Sequence, residues 1–265
     1  MAERKSAGGK GPGRSYTAPA LEKGFDILEV LADAPGGLTI SEIAQRLERS
    51  ISEVFRIIIV MERRQWLHKD PDSDRYAVSY RVLDVAFRAT PAQMLARAAA
   101  PVMFELAGAV GQSCHLVIRA EDRALVVQRQ ENPGPVGFGI RLGAVVDLAT
   151  SCSGHVLLAF LPPDQREEVL AILRRPRGLS RARLEQRLAQ VREQGFEMQP
   201  SARTEGVTDL SHPVFGFDGQ VAAALTIPFL VMIDGSQRAT LPETQIILRD
   251  AARRVSAALG HVAPQ

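Results

Sequence analysis

The stretch RSISEVFRIIIVMERRQW, Arg49 to Trp66, decides the fold. It opens on Ser50, Ser52, Glu53 and Arg56 and continues as Ile-Ile-Ile-Val-Met. Two readings compete. One is a core helix with an ordinary capped start, and the other is a helix gripped by its apolar face so that its polar end can enter a groove. At helical spacing Ile51, Val54, Ile58 and Met61 share one side, while Ser52, Arg56 and Arg63 fall away from it.

The flanking sequence favours the second reading. Upstream, TISEIAQRL (residues 39–47) begins with a capping-box pattern of Thr39 and Glu42, followed by an apolar face of Ile40, Ile43, Ala44 and Leu47. Ala44 is small, which lets two helices cross closely. Further upstream, LEKGFDILEVLAD (residues 21–33) repeats Leu21, Phe25, Leu28 and Leu31 or Ala32 at helical spacing until APGG breaks it. Downstream, QWLHKDPDSDRYAVS (residues 65–79) predicts strands at Trp66–Lys69 and Arg75–Val78 around a DPDSD turn. Three helices and a hairpin make a winged helix-turn-helix, expected over residues 18–80. The alternative is a helical subdomain that binds nothing.

In the DNA-binding reading, the polar start of the helix, Ser50, Ser52, Glu53, Phe55 and Arg56, faces the major groove. Arg56 suits a guanine edge or a phosphate, and Glu53 suits a cytosine amino group. Arg49, Lys69 and Arg75 suit phosphates, which hold register without reading sequence. For Glu53 the competing role is stabilising its own helix N-terminus.

Bulk properties constrain the rest. The 265 residues are 46% hydrophobic with a formal charge of +2, so a core is attainable and any nucleic-acid footprint is local. Two cysteines, Cys114 and Cys152, imply a reducing cytoplasm rather than a disulfide framework. The apolar run Val221 to Ile233 is too short for a membrane span and contains Pro228. Residues 1–17 are expected to form a disordered basic arm.

The sequence over 80–111 carries helical pattern on both sides of Pro91 and is expected to form a linker helix (81–92), then the first helix of a second domain (93–262). Val82, Val85, Ala86 and Leu95 suit dimer packing and intramolecular packing equally. Strands are expected in SCHLVIRA, RALVVQRQ and VGFGIRL, and helices in SGHVLLAFL, DQREEVLAIL and RARLEQRLAQVREQG. A hairpin turning at FDGQ and a closing helix complete an α/β domain with an antiparallel-rich sheet.

From about Ala18 to Gly260, almost its whole length, the chain resembles the IclR-type bacterial transcriptional regulators. The resemblance rests on the block from Ala20 to Ser79, on VDLATSCSGHVLLAFLP and on VREQGFEMQPSARTEGVTDLSHPVFGFDGQVAAALTI. It implies an α/β chain of two domains, an N-terminal winged helix and a C-terminal GAF-like effector domain. It also implies a homodimer or homotetramer on a palindromic operator in double-stranded DNA, with a small-molecule effector. Effector contacts are implied at Ser151, Cys152, Ser153 and Gly154, where helix N–H groups suit a carboxylate, and at Asp209, Thr226 and Pro228. Phe138, Ile140 and Leu142 supply the apolar wall. For each of these the competing role is plain core or loop packing.

Departures from the family pattern carry information. Ser52-Glu53 replaces a common Ser-Thr pair, Glu48 stands where glycine is frequent, and Ile51 stands where a basic residue is common. Ala202, Asp209 and Pro228 replace a Glu, a small residue or Cys, and a Ser. Losing those polar groups argues for an aromatic acid or lipid-like catabolite over a small keto acid. Asp209, if ionised and buried, needs a cation such as Arg203 to tolerate a carboxylate.

Enzyme chemistry finds little support. Cys114 and His115 are strand neighbours pointing to opposite faces, SCSGH lacks the glycine of a nucleophile elbow, and no carboxylate is placed to orient a histidine. The rival from another class is a thiol sensor or thiol enzyme using Cys152, its pKa lowered at a helix start. A zinc site from Cys114, Cys152, His155 and His212 lacks the usual close spacing. No cofactor is expected.

Overall fold

The computed structural model describes residues 18–89, 92–135 and 137–262. The arm expected at 1–17 and the break expected at Pro91 lie outside them. The chain divides into two compact units, residues up to 90 and from 91 onward.

The first unit comprises α1 (Pro19–Ala32), α2 (Ile40–Arg46), α3 (Ile51–Arg63), β1 (Leu67–Lys69), β2 (Tyr76–Val78) and α4 (Arg81–Ala89). Thr39 caps α2 as expected: its Oγ1 accepts from Glu42 N at 3.3 Å, and the Glu42 carboxylate accepts from Thr39 N at 2.8 Å. Ser50 caps α3 by accepting from Glu53 N at 3.3 Å. Ala44 is buried in the α2–α3 crossing. Between the two helices Glu48 takes the left-handed φ of 53°, which explains the expectation of glycine there.

β1 and β2 pair antiparallel from Leu67 opposite Val78 to Lys69 opposite Tyr76. Leu38 adds a bridge to Tyr76, so the loop before α2 extends the wing. The core of this unit joins Ile27, Leu31, Ile43, Val54, Ile58, Leu67 and Tyr76.

Three apolar residues do not pack as the periodicity predicts. Leu21, Phe25 and Ile51 are each more than half exposed. α1 meets α3 and the wing through Ile27 and Leu31, which turns Leu21 and Phe25 outward, and α3 buries only Val54 and Ile58 fully.

The second unit comprises α5 (Ala92–Val110), β3 (Cys114–Ala120), β4 (Arg123–Gln130), β5 (Val145–Val146), α6 (Cys152–Ala159), α7 (Pro163–Ile172), α8 (Arg181–Gln194), β6 (Glu197–Pro200), β7 (Val207–Phe215), β8 (Val221–Leu230) and α9 (Leu241–Ala258). Its six strands run β5-β4-β3-β8-β7-β6, with antiparallel neighbours throughout. One face packs α5 and α9 over Leu116, Leu210, Val214 and Leu225. The other packs α6, α7 and α8 over Val117, Val126 and Ala224. Leu95 belongs to the first of these cores.

Residues 137–142 form a loop and not the expected strand. The edge of β4 is taken instead by Val145 and Val146 after a turn in which Gly143 adopts φ 77°. Strand β6, in contrast, carries no alternation that would announce it.

Candidate DNA-contact surface and effector face

On α3, Ser52, Arg56, Ile59 and Arg63 recur at i, i+4, i+7 and i+11, and all four are exposed. Ser50 and Phe55 flank this strip and are exposed too. Glu53 is not on it. Its carboxylate pairs with Lys23 of α1 and, at 3.5 Å, with Arg49, whose guanidinium also reaches Asp26 at 3.4 Å. The hydrogen bond from Lys23 outweighs partial desolvation and holds the Glu53 carboxyl below the usual range. The Glu53 carboxylate thus ties α3 to α1.

The expected phosphate contacts are similarly engaged. Arg75 grips Glu42 with two hydrogen bonds, 3.0 and 3.1 Å, and donates to Gly37 O at 2.8 Å, tying the wing to the start of α2. Lys69 pairs with Asp74 across the wing turn. Among the described residues Arg56 and Arg63 make no ion pair and are the cations that α3 offers to a phosphate or a base. Sequence reasoning named Phe55 but missed Ile51 and Ile59 on this surface, because Ile51 shares the spacing of Val54 and Ile58 and Ile59 lies within a run of isoleucines.

In the second unit, strand register builds a polar row on the α6 side of the sheet. His115 lies opposite Arg129 on β4 and Thr226 on β8; Thr226 lies opposite Ser211, and Ser211 opposite Glu197. Opposed residues project to the same face. The Ser211 and Thr226 hydroxyls share a 2.8 Å hydrogen bond. Among the described residues His115 Nδ1 and Arg129 Nε are buried without a hydrogen-bond partner. Burial and the neighbouring Arg129 charge push the His115 pKa down to about 4, so the ring is neutral.

The resemblance-implied effector residues divide around this row. Thr226 lies in it, and Pro228, opposite Asp209, lies two residues along the same face. Phe138 and Ile140 are half-buried, and the Gly139 between them lies against the Arg129 guanidinium. Leu142 is 66% exposed and contributes no wall. Asp209 is half-buried, with its pKa raised by desolvation against a hydrogen bond from Ser201. Arg203 lines a separate cleft with Asp122 and Asp147 and gives Asp209 no charge partner.

The start of α6 is largely satisfied from within. Ser151 Oγ accepts from Gly154 N at 3.0 Å, and Asp147 accepts from Ala149 N and Thr150 N, both at 2.9 Å. Ser153 is buried, and a side chain on Gly154 would meet Leu148 O at 2.5 Å. Glycine is there so that the loop can cross the helix, and not to admit a ligand.

Cys152 is 1% exposed and donates toward Glu197 O (3.3 Å) and Asp209 O (3.4 Å), docking α6 on β6 and β7. Burial, then the Glu197 and Asp209 charges, drive its pKa well up, overriding the helix N-terminus, so the thiol is not activated as expected. Burial alone pushes Cys114 to about 12. Among the described residues no three His, Cys, Asp or Glu side chains gather to hold a metal.

A carboxylate does orient a histidine, contrary to expectation. Glu197, 2% exposed, meets His155 Nδ1 at 3.0 Å and accepts from Arg187 Nε at 2.8 Å, while His155 Nε2 faces Ala149 O at 2.9 Å. Residues 42 positions apart gave no local signal of this. Both ring nitrogens are occupied, so the trio is an internal clamp between α6, α8 and β6.

Two family descriptions match the chain: "IclR helix-turn-helix domain" over residues 20–71 and "Bacterial transcriptional regulator IclR C-terminal" over residues 87–257. The chain belongs to the IclR family. It is an IclR-type transcriptional regulator, with an N-terminal DNA-binding unit and a C-terminal effector-binding unit. It is 30% identical over 264 residues to the HTH-type transcriptional regulator BhcR of Paracoccus denitrificans, covering 96% of this chain and 91% of that one. To the regulator KdgR of Escherichia coli it is 28% identical over 244 residues, covering 90% and 92%. The fold is shared with a crystal structure of an IclR homolog from Microbacterium hydrocarbonoxydans complexed with 4-hydroxybenzoate, at TM-score 0.75 and 24% identity, covering 91% and 98%. Among the described residues no helix is long and apolar enough to cross a membrane.

Proposed function

We propose that the chain is a cytoplasmic repressor that occupies a palindromic operator as a homodimer or homotetramer and is released or tightened by an aromatic or apolar carboxylic acid. Repression is favoured because occlusion needs only operator occupancy, which α3 and the wing supply. The observation that carries the effector reading is the buried pair of atoms His115 Nδ1 and Arg129 Nε, neither with a hydrogen-bond partner among the described residues, beneath the Phe138–Ile140 loop; the far side of the Arg129 guanidinium holds Glu131 at 2.7 Å. A carboxylate on Arg129, with a neutral His115 and Thr226 beside it, leaves the ligand body against Phe138, Ile140 and Pro228. The fold relative holding 4-hydroxybenzoate supports a ligand of this class.

The test is thermal shift with 4-hydroxybenzoate and longer aromatic acids on the full chain. A ligand at 100 times its Kd stabilises by about 2.7 kcal/mol, and Arg129→Gln should abolish that stabilisation. Retention of the full shift in Arg129→Gln would remove Arg129 from the site.

A further inference from the structure

A second cleft in the effector unit shares no lining residue with the His115–Arg129 pair and lies between the start of α6 and the N-terminal half of α8. Its cavity, about 570 Å³, is lined by Leu184, Arg177, Arg183, Arg187, Gln186 and Gln190. No carboxylate lines it. Glu197 is close behind, but Arg187, His155 and Met198 N occupy its oxygens.

Three features concentrate positive potential here. Arg183 and Arg187 are four apart on α8, a like-charge spacing that opposes helix formation unless something offsets it. The first turn of α8 carries Arg181 and Arg183 and no acidic residue, so the helix N-terminus adds to the arginine charge where carboxylates normally offset it. Neighbouring Arg181 pairs with Glu167 and Glu185, and Arg187 with Glu197, which leaves Arg177 and Arg183 without an ion pair among the described residues.

We propose that this cleft binds a small, hydrophilic, multiply charged oxyanion, a polycarboxylate or a phosphate ester. Arg177 and Arg183 carry the charge recognition, and the Gln186 and Gln190 amides bond its neutral oxygens. Arg187 stays on Glu197 and forms the fixed back wall. The site stands apart from the aromatic-acid face and does not depend on it.

The experiment is isothermal titration of citrate and of inorganic phosphate into the full chain, with ionic strength held constant by sodium chloride. Citrate should bind saturably at one site per chain. The Arg177→Gln/Arg183→Gln double variant should bind about tenfold or more weakly, the loss of a charge-assisted hydrogen bond. Both positions are exposed, so the variant should melt within about 2 °C of the parent. Should it melt earlier, Gln190→Glu, which puts a carboxylate into the exposed wall, must weaken citrate equally. Unchanged binding in these variants would overturn the proposal, placing the anion elsewhere, for example on the DNA-contact surface. Absence of saturable heat with both probes would overturn it as well. The response to 4-hydroxybenzoate should survive in the variants, which separates this site from the Arg129 site.

Discussion

Glu53 of the recognition helix turns its carboxylate back to Lys23 of α1, and Arg49 closes on the same oxygen at 3.5 Å. A carboxylate in the first turn of α3 therefore acts on its own protein before it acts on DNA. Replacing Glu53 by Gln frees Lys23 for a phosphate and leaves Arg49 with the Asp26 carboxylate alone. DNA affinity at low salt should rise, and the slope of log K against log salt should steepen by about one for each further phosphate that is neutralised. A loss of affinity confined to one operator base would instead assign Glu53 to base reading.

The turn between α2 and α3 is strained and tight. Glu48 sits at φ 53°, a conformation that costs a non-glycine residue on the order of 1 kcal/mol. Glu48→Gly should raise stability by about that amount in urea melts. Ala44 is 3% exposed at the helix crossing, and Ala44→Leu should lower stability by about 1–3 kcal/mol through overpacking. A neutral Ala44→Leu would mean that the two helices do not cross closely there.

Both thiols should be silent in the native protein. Cys114 and Cys152 are each 1% exposed, with pKa values driven up by burial. A thiol-specific chromogenic reagent at pH 8 should label neither until denaturant is added. Rapid native labelling of Cys152 would revive thiol chemistry at the start of α6.

Acid should destabilise the effector unit in two stages. Burial holds His115 near 4, and burial together with the nearby Arg249 and Arg253 charges holds His212 near 4, against 6.5 in an unfolded chain. Between those values the unfolded chain takes up protons that the folded one refuses. Stability therefore falls as pH drops from about 6.5 to 4, by about 1.4 kcal/mol per pH unit for each histidine. Burial pushes Glu197 upward, but hydrogen bonds from His155 and Arg187 leave it below 4.5. Its contribution is present above that value and lost only as pH falls through the lower folded pKa. Urea melts from pH 7 to 3 should show both stages, and His212→Gln should remove one proton from the first. A flat profile between pH 6.5 and 4 would contradict the burial of both rings.

The elements legible in the sequence were those whose signals are local. The Thr39–Glu42 box, the small Ala44 and the Asp70–Asp74 turn each declare themselves within a few residues. The helical spacing of Ile51 with Val54 and Ile58 misled about Ile51, because periodicity shows which residues share a side but not which neighbour arrives to cover it. The loop at 137–142 reads as a strand from its alternation, yet Val145 and Val146 take the β4 edge. Least legible was the polar network of the effector unit. The pairing of His155 with Glu197, and of His115 with Arg129 and Thr226, exists only once register brings distant strands together.

Sequence reading by the exposed strip of α3 is tested most directly by fluorescence anisotropy of the full chain with DNA from upstream of its own gene and with scrambled DNA, across salt concentrations. The upstream fragment should bind tightly and the scrambled one weakly, and Arg56→Ala should cost about 1–3 kcal/mol on the upstream fragment alone. Equal affinity for both DNAs, unmoved by Arg56→Ala, would contradict a recognition helix that reads sequence through Arg56.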